Sequence, residues 1–533
     1  MRKRCWCFYI VMLTLYAGLL GRILYITHTQ PAQVAAANSA WTVSVANSRG
    51  TIYDCKQRPI VNETKGYKAA VIPDERVLNV IYSATDSLAF ETLRDKLSGG
   101  TPAAVTLNGP VPFTDGLELF CVPVRYGDRV LAPHIVGYMD AGAQSGVAGI
   151  EQTENEVLAS YNGSAAATFY VNGTGRCLSG VKPKRMDTTA ASVGGVVLTI
   201  DKDIQQLVEN LSVNYIEKGA VIVMDPYSGD IKALASFPSF QPNTVAECIK
   251  EDNGALLNRG LALYDCGSVF KIVTAAAALE NGLSDTLAFT CSGSCDVQGI
   301  RFHCHNRLGH HQLDMHDGFA ESCNVYFIRL AQTMGADALY TMAQRFGFDT
   351  AISLSGDMGT EKPLFPSLSS LNQSPGALAN LSFGQGYLMT SPLHIAQITA
   401  TIANGGTMPT VQLIDGYVDE DGNYSETERN GGTTILSSET ATTLQAMMRR
   451  VVTDGTGEGA APSVCTAAGK TGTAETGQAG ETAPVVQSWF TGYFPAEDPQ
   501  YVVTVLAEDA NNTQGRSGAL FCEISNNLFK MNT

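Results

Sequence analysis

An uncharged run near the start of the chain is the feature that most limits how this sequence can fold. Basic residues at positions 2–4 precede 17 uncharged residues, Cys5 to Gly21, and the apolar character continues to Ile26. The run is close to the minimum length of a helix that crosses a bilayer, and basic residues before such a helix favour the cytoplasmic side. The sequence therefore predicts that residues 1–26 form a short cytoplasmic tail and a single-pass anchor in the cell membrane, with the rest of the chain extracytoplasmic.

Two alternatives to an anchor follow from the same segment. A cleaved secretory signal is one, because small residues such as Ala35 and Ala40 come after the apolar run. A buried core helix is the other. The run is long for a signal sequence and has basic residues at its start, so the anchor is the favoured interpretation.

The chain as a whole has the composition of folded, acidic domains. Its 533 residues are enough for two or three domains, and 44% of them are hydrophobic against 16% charged. Asp and Glu outnumber Lys and Arg by 51 to 35, a formal charge of -16, which argues against nucleic acid as a partner. Thirteen cysteines are an odd number and too sparse for a disulfide framework, so at least one is unpaired.

Patterning divides the chain after the anchor into three segments. Residues 27–46 are polar and rich in alanine, as expected of a linker. Over residues 47–195, short β-branched runs alternate with Gly, Asn and Pro, which predicts a strand-rich domain. Over residues 196–533, helical and strand periodicities are mixed, which predicts a second domain of the α+β class.

The second domain is expected to contain one antiparallel sheet built from both ends of its sequence. Asp201 is placed to cap a helix that runs to Ile216. A turn over residues 226–229 joins two apolar runs as a hairpin. The predicted strands and the predicted terminal helix are Val196–Ile200, Ala220–Asp225, Asp230–Ala235, Gln487–Phe494, Tyr501–Ala507 and Gly518–Lys530.

Ser268-Val-Phe-Lys271 is the first of three short motifs that carry reactive side chains. It leads into an alanine-rich helix predicted over Ile272–Leu279. A spacing of three on a helix places the lysine amine beside the serine hydroxyl. Because a serine becomes a strong nucleophile when a neighbouring base accepts its proton, Ser268 and Lys271 are candidates for nucleophile and base.

The second and third motifs are Ser322-Cys323-Asn324 and Lys470-Thr471-Gly472-Thr473. The second is predicted to lie early in a helix over Phe319–Ala331. The third follows small residues, which let the backbone approach a substrate closely. Each motif taken alone is more often part of an ordinary helix or strand, so the signal comes from their combination and order.

In this order the three motifs resemble the signature of penicillin-binding proteins and serine β-lactamases. Further motifs resemble class B penicillin-binding proteins, including the sporulation and division members of Firmicutes, over residues 47 to 530. Two departures are Cys55, where the class usually has Arg, and Cys266, where it usually has Pro. The further motifs are Arg49-Gly-Thr-Ile-Tyr-Asp54, Gly149-Ile-Glu151, Asn258-Arg-Gly260, Ser382-Phe-Gly-Gln-Gly386 and Trp489-Phe-Thr-Gly-Tyr-Phe494.

The resemblance implies a fold and an activity. Residues 47–195 would form a pedestal domain of the dimerisation type, and residues 196–533 a serine β-lactamase-like transpeptidase domain. The activity would be a DD-transpeptidase that cross-links peptidoglycan stem peptides through a serine acyl-enzyme and is acylated by β-lactams. A polytopic peptidoglycan glycosyltransferase is the further partner implied. This chemistry requires no metal and no organic cofactor.

The resemblance also implies a role for each motif residue. Ser268 would attack the carbonyl carbon and Lys271 would act as its base. The backbone N–H groups of Ser268 and Thr473 would form the oxyanion hole. Ser322 would relay the proton to the leaving amine, while Asn324 holds the base and the substrate amide. The segment that would receive the substrate's terminal carboxylate comprises Lys470, Thr471, Gly472 and Thr473.

Other functions of the same fold are alternatives. A secreted β-lactamase would lack both the anchor and the pedestal, and a β-lactam sensor usually has more membrane spans. A bifunctional enzyme would carry a glycosyltransferase domain where this sequence has Arg49–Asp54. A non-catalytic cell-wall scaffold would leave an intact nucleophile and base unused.

A group of cysteines and histidines lies between the first two motifs. The residue types suit zinc, but their spacing matches no standard zinc finger, and disulfides are the favoured interpretation outside the cell. The resemblance to the sporulation members implies a redox-active pair, Cys304 with Cys323, and two packed thiols are the alternative. The group comprises Cys291, Cys295, His303, Cys304, His305, His310 and His311.

Overall fold

Two compact units make up the part of the chain that the computed structural model describes. The first unit takes in residues 1–50, 62–127 and 160–193, and the second takes in residues 51–61, 128–159 and 194–533. Most of the predicted linker, residues 29–38 with Ala35 among them, lies outside the described residues. The described residues are 2–28, 39–140, 142, 144–172, 176–178, 181–251, 253–479, 484–508 and 516–532.

The N-terminal segment forms one helix, Arg2–His28. Within it, Trp6–Tyr25 has a mean hydropathy of 1.8 and none of that stretch is buried. It is the one helix among the described residues that is long and apolar enough to cross a membrane. The helix predicted from the apolar run is therefore confirmed, and its orientation remains a prediction.

The first unit also contains two three-stranded antiparallel sheets and two helices. Helices Glu75–Tyr82 and Ser87–Leu97 each begin after an aspartate whose carboxylate accepts a backbone N–H. Buried apolar side chains of the strands and helices, such as Phe120 and Ile81, form its core. The strands are Ala40–Ser48, Thr64–Val71, Ala103–Leu107, Leu117–Val124, Gly163–Tyr170 and Lys184–Asp187.

The second unit is organised around a five-stranded antiparallel sheet. The predicted hairpin and both predicted C-terminal strands are confirmed, and they are joined by the strand that carries Lys470. In spatial order the strands are Ile231–Phe237, Gly219–Met224, Tyr501–Ala507, Pro484–Phe494 and Ala468–Ala479.

Helices from both ends of the second unit cover one face of this sheet. Lys202–Ser212 begins at Asp201, whose carboxylate accepts the backbone N–H of Asp203, and ends four residues before the predicted Ile216. Arg516–Asn532 forms the C-terminal helix at the predicted place. Their apolar side chains pack with those of the strands in one buried cluster, which includes Val208, Val503, Phe490 and Phe521.

A fully buried helix covers the opposite face. Every residue of Pro392–Ala403 is buried. The hydroxyl of Thr399 in this helix lies 2.6 Å from that of Thr491 in the sheet. The sheet thus lies between two layers of helices, and the predicted α+β class of this domain is confirmed.

A short parallel pairing explains why residues 51–61 group with the second unit. The strand Thr51–Tyr53 pairs with Gly195–Leu198, which belongs to a sheet with Ile414–Val418 and Tyr424–Glu426. From the sequence, residues 51–61 and 128–159 were predicted to belong to the pedestal. The structure groups them by contact with the second unit instead.

The remaining elements of the chain are short, apart from one long helix. The helices are Pro133–Val136, Gly149–Thr153, Asn155–Ser160, Val245–Glu251, Lys271–Glu280, Met315–Ala320, Asn324–Met334, Ala336–Arg345, Leu368–Gln373, Pro375–Ser382 and Ser438–Asp454. The strands are Tyr138–Met139, Gly146–Ala148, Phe289–Cys291, Ser294–Val297, Ile300–His303, His311–Leu313, Ser353–Ser355, Met358–Gly359, Thr407–Met408 and Thr433–Thr434.

Candidate active site

The first motif forms a tight turn followed by a helix. Residues Gly267–Phe270 form a 3-10 turn, and the helix Lys271–Glu280 continues from it. The Nζ atom of Lys271 lies 3.0 Å from the Oγ atom of Ser268. The predicted contact between amine and hydroxyl is present, although the serine sits in the turn rather than in the helix.

Glycine is required at the start of this turn. Gly267 has φ +55, and a Cβ atom there would lie 2.6 Å from the backbone oxygen of Thr473. A Cβ at Gly384 would lie 1.8 Å from the backbone oxygen of Gly267. Backbone therefore packs directly against backbone on two sides of the turn, which fixes the position of Ser268.

The second motif does not lie within one helix. The predicted helix Phe319–Ala331 was wrong, because the chain forms two helices, Met315–Ala320 and Asn324–Met334, with a turn between them. Ser322 in that turn has φ +51, a left-handed conformation that no α-helix contains. The break turns the backbone carbonyl of Ser322 towards Lys271.

Lys271 is fully buried and surrounded by oxygen atoms. Its Nζ lies 2.6 Å from the backbone oxygen of Ser322, 3.1 Å from the Oγ of Ser322 and 2.8 Å from the Oδ1 of Asn324. Burial lowers the pKa of Lys271 from 10.5 to about 7, because desolvation disfavours the ammonium form. An amine with this pKa is available as a base at neutral pH.

Lys470 reaches the same serine from the other side. It lies on the strand Ala468–Ala479, is fully buried, and its Nζ lies 3.0 Å from the Oγ of Ser322. Burial, and then the nearby Lys271, hold the pKa of Lys470 well below its ordinary value. Among the residues that the structure describes, neither lysine forms a salt bridge with a carboxylate.

The third motif presents alternate side chains to a cleft. Thr471, Thr473 and Glu475 are the more exposed residues of this stretch, and Gly472 and Ala474 between them are buried. A Cβ at Gly472 would lie 3.1 Å from the backbone oxygen of Cys266. The strand therefore passes close to the turn Gly267–Phe270, which we call the nucleophile turn. The alternation places the threonine hydroxyls and the Glu475 carboxylate on one face.

A cleft of about 770 Å³ brings most of the predicted residues together. Lys271 and Lys470 lie buried behind its wall. Several lining residues were not predicted from the sequence, because they lie in segments that carry no motif. The predicted lining residues are Ser268, Ser322, Asn324, Thr471, Gly472 and Thr473, and those missed include Arg307, Asn380 and Thr456.

Two cysteines lie directly beside this site. Cys323 separates Ser322 from Asn324, and its Sγ atom lies 3.8 Å from the Sγ of Cys304, with both thiols free and buried. A hydrogen bond between them lowers the pKa of Cys304 and raises that of Cys323. The disulfide implied by the resemblance stays a prediction.

The sheet, the nucleophile turn and the buried pair of lysines define the serine transpeptidase and β-lactamase type of fold. Residues 219–529 match the family model of the penicillin-binding protein transpeptidase domain. The chain therefore belongs to the penicillin-binding proteins and, within them, to class B.

Similar proteins extend over most of the chain. Stage V sporulation protein D of Bacillus subtilis is 29% identical over 74% of this chain and 62% of its own length. Peptidoglycan D,D-transpeptidase PbpA of Mycolicibacterium smegmatis is 31% identical over 72% of this chain and 78% of its own length. The crystal structure of a D,D-transpeptidase domain of a peptidoglycan glycosyltransferase from Eggerthella lenta is 26% identical, with a TM-score of 0.65 over 91% of this chain and 99% of that one.

Proposed function

We propose that the protein is a membrane-anchored DD-transpeptidase that cross-links peptidoglycan stem peptides through an acyl-enzyme on Ser268. The single observation that carries this proposal is the position of the buried Lys271 amine. It lies 3.0 Å from the serine hydroxyl and its pKa is lowered to about 7. The relatives named above as D,D-transpeptidases support the same conclusion.

Acylation begins with proton transfer from Ser268 to Lys271. As the hydroxyl oxygen attacks the carbonyl carbon between the two terminal D-alanines, its proton passes to the neutral amine. Ser322, whose Oγ lies within 3.1 Å of both lysine nitrogens, then relays a proton to the departing D-alanine amine. The C–N bond breaks, D-alanine leaves, and an ester on the serine remains.

Backbone and side-chain donors of the third motif complete the site. The N–H groups of Ser268 and Thr473 stabilise the oxyanion, an effect of roughly 3 to 4 kcal/mol for each donor. The hydroxyls of Thr471 and Thr473 receive the terminal carboxylate of the substrate. An arriving carboxylate also favours the charged form of Lys470, which burial otherwise disfavours.

Cross-linking follows when an amine of a second stem peptide attacks the ester. The open cleft next to Ser268 leaves space for that acceptor. β-Lactams would acylate the same serine, because their amide carbonyl takes the place of the D-alanyl carbonyl. The apolar helix Trp6–Tyr25 would hold the catalytic domain at the extracytoplasmic face of the cell membrane. A polytopic glycosyltransferase would supply the glycan strands.

The proposal is tested by intact-mass analysis of the full-length protein in detergent after incubation with benzylpenicillin. The wild-type chain should gain the mass of a single drug molecule, and Ser268→Ala should gain none. Ser369→Ala, on an exposed helix, is the matched control and should label like the wild type. Labelling that survives in Ser268→Ala would show that another residue is the nucleophile.

A second measurement separates the alternative functions of this fold. A stem pentapeptide with an amine acceptor should yield released D-alanine and a cross-linked product. Rapid release of hydrolysed penicillin without cross-linking would instead identify a β-lactamase. A wild-type chain that is never acylated would identify a scaffold.

A further inference from the structure

Four buried ligand atoms meet beside the second motif. They come from three thiols and one imidazole, and all four atoms lie within 4.8 Å of one another. We call this group the Cys/His cluster, and its members are Cys291, Cys304, His310 and Cys323. The group of possible zinc ligands identified from the sequence covered the segment between the motifs only and did not include the cysteine of the second motif.

Two distances within the cluster equal those of a tetrahedral zinc site, and the remaining pairs lie within 4.8 Å. Zn–S bonds of about 2.3 Å and Zn–N bonds of about 2.0 Å place two sulfurs about 3.8 Å apart and sulfur about 3.5 Å from nitrogen in a tetrahedron. The Sγ atoms of Cys304 and Cys323 are 3.8 Å apart, and the Sγ of Cys304 is 3.5 Å from the Nδ1 of His310. A disulfide would instead require a separation of about 2.05 Å.

Backbone geometry brings the members together from distant positions. Cys291 ends a strand that pairs with His311–Leu313, so His310 lies next to it. Gly309 has φ +87, and a Cβ there would lie 2.3 Å from the backbone oxygen of Cys291. The turn before His310 therefore closes onto Cys291 only because this position is glycine.

The surroundings also suit a structural zinc site, in which all four ligands come from the protein and solvent is excluded. The three cysteines are at most 2% exposed, and the side chain of His310 is 6% exposed. While Nδ1 of His310 faces the sulfurs, its Nε2 lies 3.9 Å from a carboxylate oxygen of Glu321. The second ring N–H of a zinc-bound histidine is usually accepted by a carboxylate, a backbone carbonyl or water, and a small movement of the half-exposed Glu321 side chain would bring its carboxylate into that position.

We propose that the Cys/His cluster binds a Zn²⁺ ion and that this ion anchors the turn carrying Ser322 and Asn324. Binding releases three thiol protons to solvent and leaves three thiolates and a neutral imidazole as ligands. Thiolate-rich, four-coordinate sites select zinc over calcium and magnesium, which prefer oxygen.

The ion would act on the active site through the backbone. Cys323 is covalently joined to Ser322 and Asn324, and these two residues supply three of the oxygen contacts of Lys271. The amide of Asn324 also lies 3.4 Å from the backbone oxygen of His303, next to Cys304. Fixing Cys304 and Cys323 on one ion therefore fixes both sides of that turn.

Zinc and the implied disulfide exclude each other. Oxidation by a small-molecule disulfide would join Cys304 to Cys323, pass two electrons to the oxidant and remove two of the four ligands. The remaining thiol and imidazole would not hold the ion. The two states are therefore separable by mass and by metal content.

The first test is the metal content of full-length protein reconstituted with zinc chloride under reducing conditions. Elemental analysis should find about one zinc per chain, the stoichiometry of a four-ligand site. Cys304→Ser and His310→Gln should each lose it, while Cys295→Ser and His311→Gln, which have the same residue types but lie outside the cluster, should keep it. No retained zinc in the wild type, or equal loss in the control variants, would overturn the proposal.

The second test needs no variant and so does not depend on folding of a mutant. Iodoacetamide labelling of the wild type over a series of urea concentrations, read by peptide mass spectrometry, should modify the three buried cluster cysteines only at higher urea when zinc is bound than after chelation. The partly exposed Cys522 serves as the internal reference. Equal labelling with and without zinc, or a Cys304–Cys323 disulfide in zinc-reconstituted protein, would refute the site.

The third test addresses anchoring. Chelation should slow acylation by a fluorescent penicillin, and Zn²⁺ but not Mg²⁺ should restore the rate. Unchanged acylation after complete removal of zinc would refute the anchoring role. Metal content and alkylation remain decisive even if Ser268 proves unreactive, so failure of the zinc site and failure of the proposed activity are distinguishable.

Discussion

The two walls of the cleft hold their functional groups by different means. One wall is the strand Ala468–Ala479, whose antiparallel ladder pairs Gly472 with Trp489 and fixes the backbone in register. The other wall is the turn before Asn324–Met334, where Ser322 adopts φ +51 and is held by its contacts with buried lysines. The regular wall thus holds backbone groups at fixed positions, whereas the irregular wall supplies oxygens that contact the amine of Lys271.

The largest effect is expected at Lys271, whose amine contacts oxygens of the irregular wall. Lys271→Met keeps the volume of the side chain but removes the amine, so acylation by benzylpenicillin should slow by roughly 100- to 10,000-fold, the contribution of a general base. Second-order acylation rate constants of full-length protein measure this. Lys250→Met, at an exposed position, should match the wild type. A decrease of less than about tenfold would mean that another group accepts the proton.

The next largest effect is expected when the contact between the nucleophile turn and the regular wall is disturbed. Gly267→Ala introduces a side chain at φ +55 and places its Cβ 2.6 Å from the backbone oxygen of Thr473. The left-handed conformation alone costs about 1 to 2 kcal/mol, and the overlap adds to it. Thermal or denaturant unfolding should therefore show a loss of stability larger than that value.

Gly282→Ala is the matched control for that loss. Gly282 has φ +77, and a Cβ added there would meet no heavy atom within 4 Å, so the substitution carries the conformational cost without the overlap. If both variants lose the same stability, close backbone packing does not hold the nucleophile turn against the strand.

The sheet next to the regular wall was largely predictable from the sequence, whereas the strand of that wall, Ala468–Ala479, and the turn of the irregular wall were not. The hairpin, the terminal strands and the cap at Asp201 follow from local periodicity and turn residues, which is why their predictions are confirmed. The break at Ser322 was missed because serine, unlike glycine, carries no signal for a left-handed conformation. Its cause is tertiary: the buried Lys271 amine binds the carbonyl that the turn presents.

The site shows the same division. The three motifs identified Ser268, the two lysines and the segment Lys470–Thr473 by residue type and order, but not the turn and the strand that hold them. Thr456 and Arg307 were missed because their loops meet the cleft only in the folded chain. Three members of the Cys/His cluster were already in the group identified from the sequence, and only Cys323 was missed as a fourth ligand, since it belongs to the second motif and lies 32 residues from Cys291. The grouping of residues 51–61 with the second unit likewise depends on a pairing with Gly195–Leu198 that short-range patterns do not encode.

The pH dependence of acylation separates the role of Lys271 from that of its surroundings. As the proposed base, Lys271 must be neutral, and its pKa is about 7, so the rate should rise with pH through that value and level off above it. Below pH 7 the rate should fall about tenfold for each pH unit, because that is the change in the neutral fraction. Stopped-flow acylation between pH 5 and pH 9 measures this, with Lys271→Met as the control that should lose the dependence. A flat profile in the wild type would show that deprotonation of the amine does not limit the rate.

The smallest expected effect concerns a hydroxyl pair at the edge of the regular wall. The Oγ1 atoms of Thr456 and Thr471 are 2.8 Å apart, so the loop orients the hydroxyl that we propose receives the substrate carboxylate. Thr456→Val removes this contact and also the 3.2 Å hydrogen bond that the Thr456 hydroxyl donates to the backbone oxygen of Ala320. The contact with Thr471, a neutral hydrogen bond of about 0.5 to 1.5 kcal/mol, orients the hydroxyl in the cleft, and its loss corresponds to an acylation rate about two- to tenfold lower. Thr442→Val, on an exposed helix face, should leave the rate unchanged. The hydrogen bonds of the strand already fix the backbone of Thr471, so only a small decrease in the acylation rate is expected. A decrease of more than about tenfold would show that the loop carrying Thr456 also positions this wall.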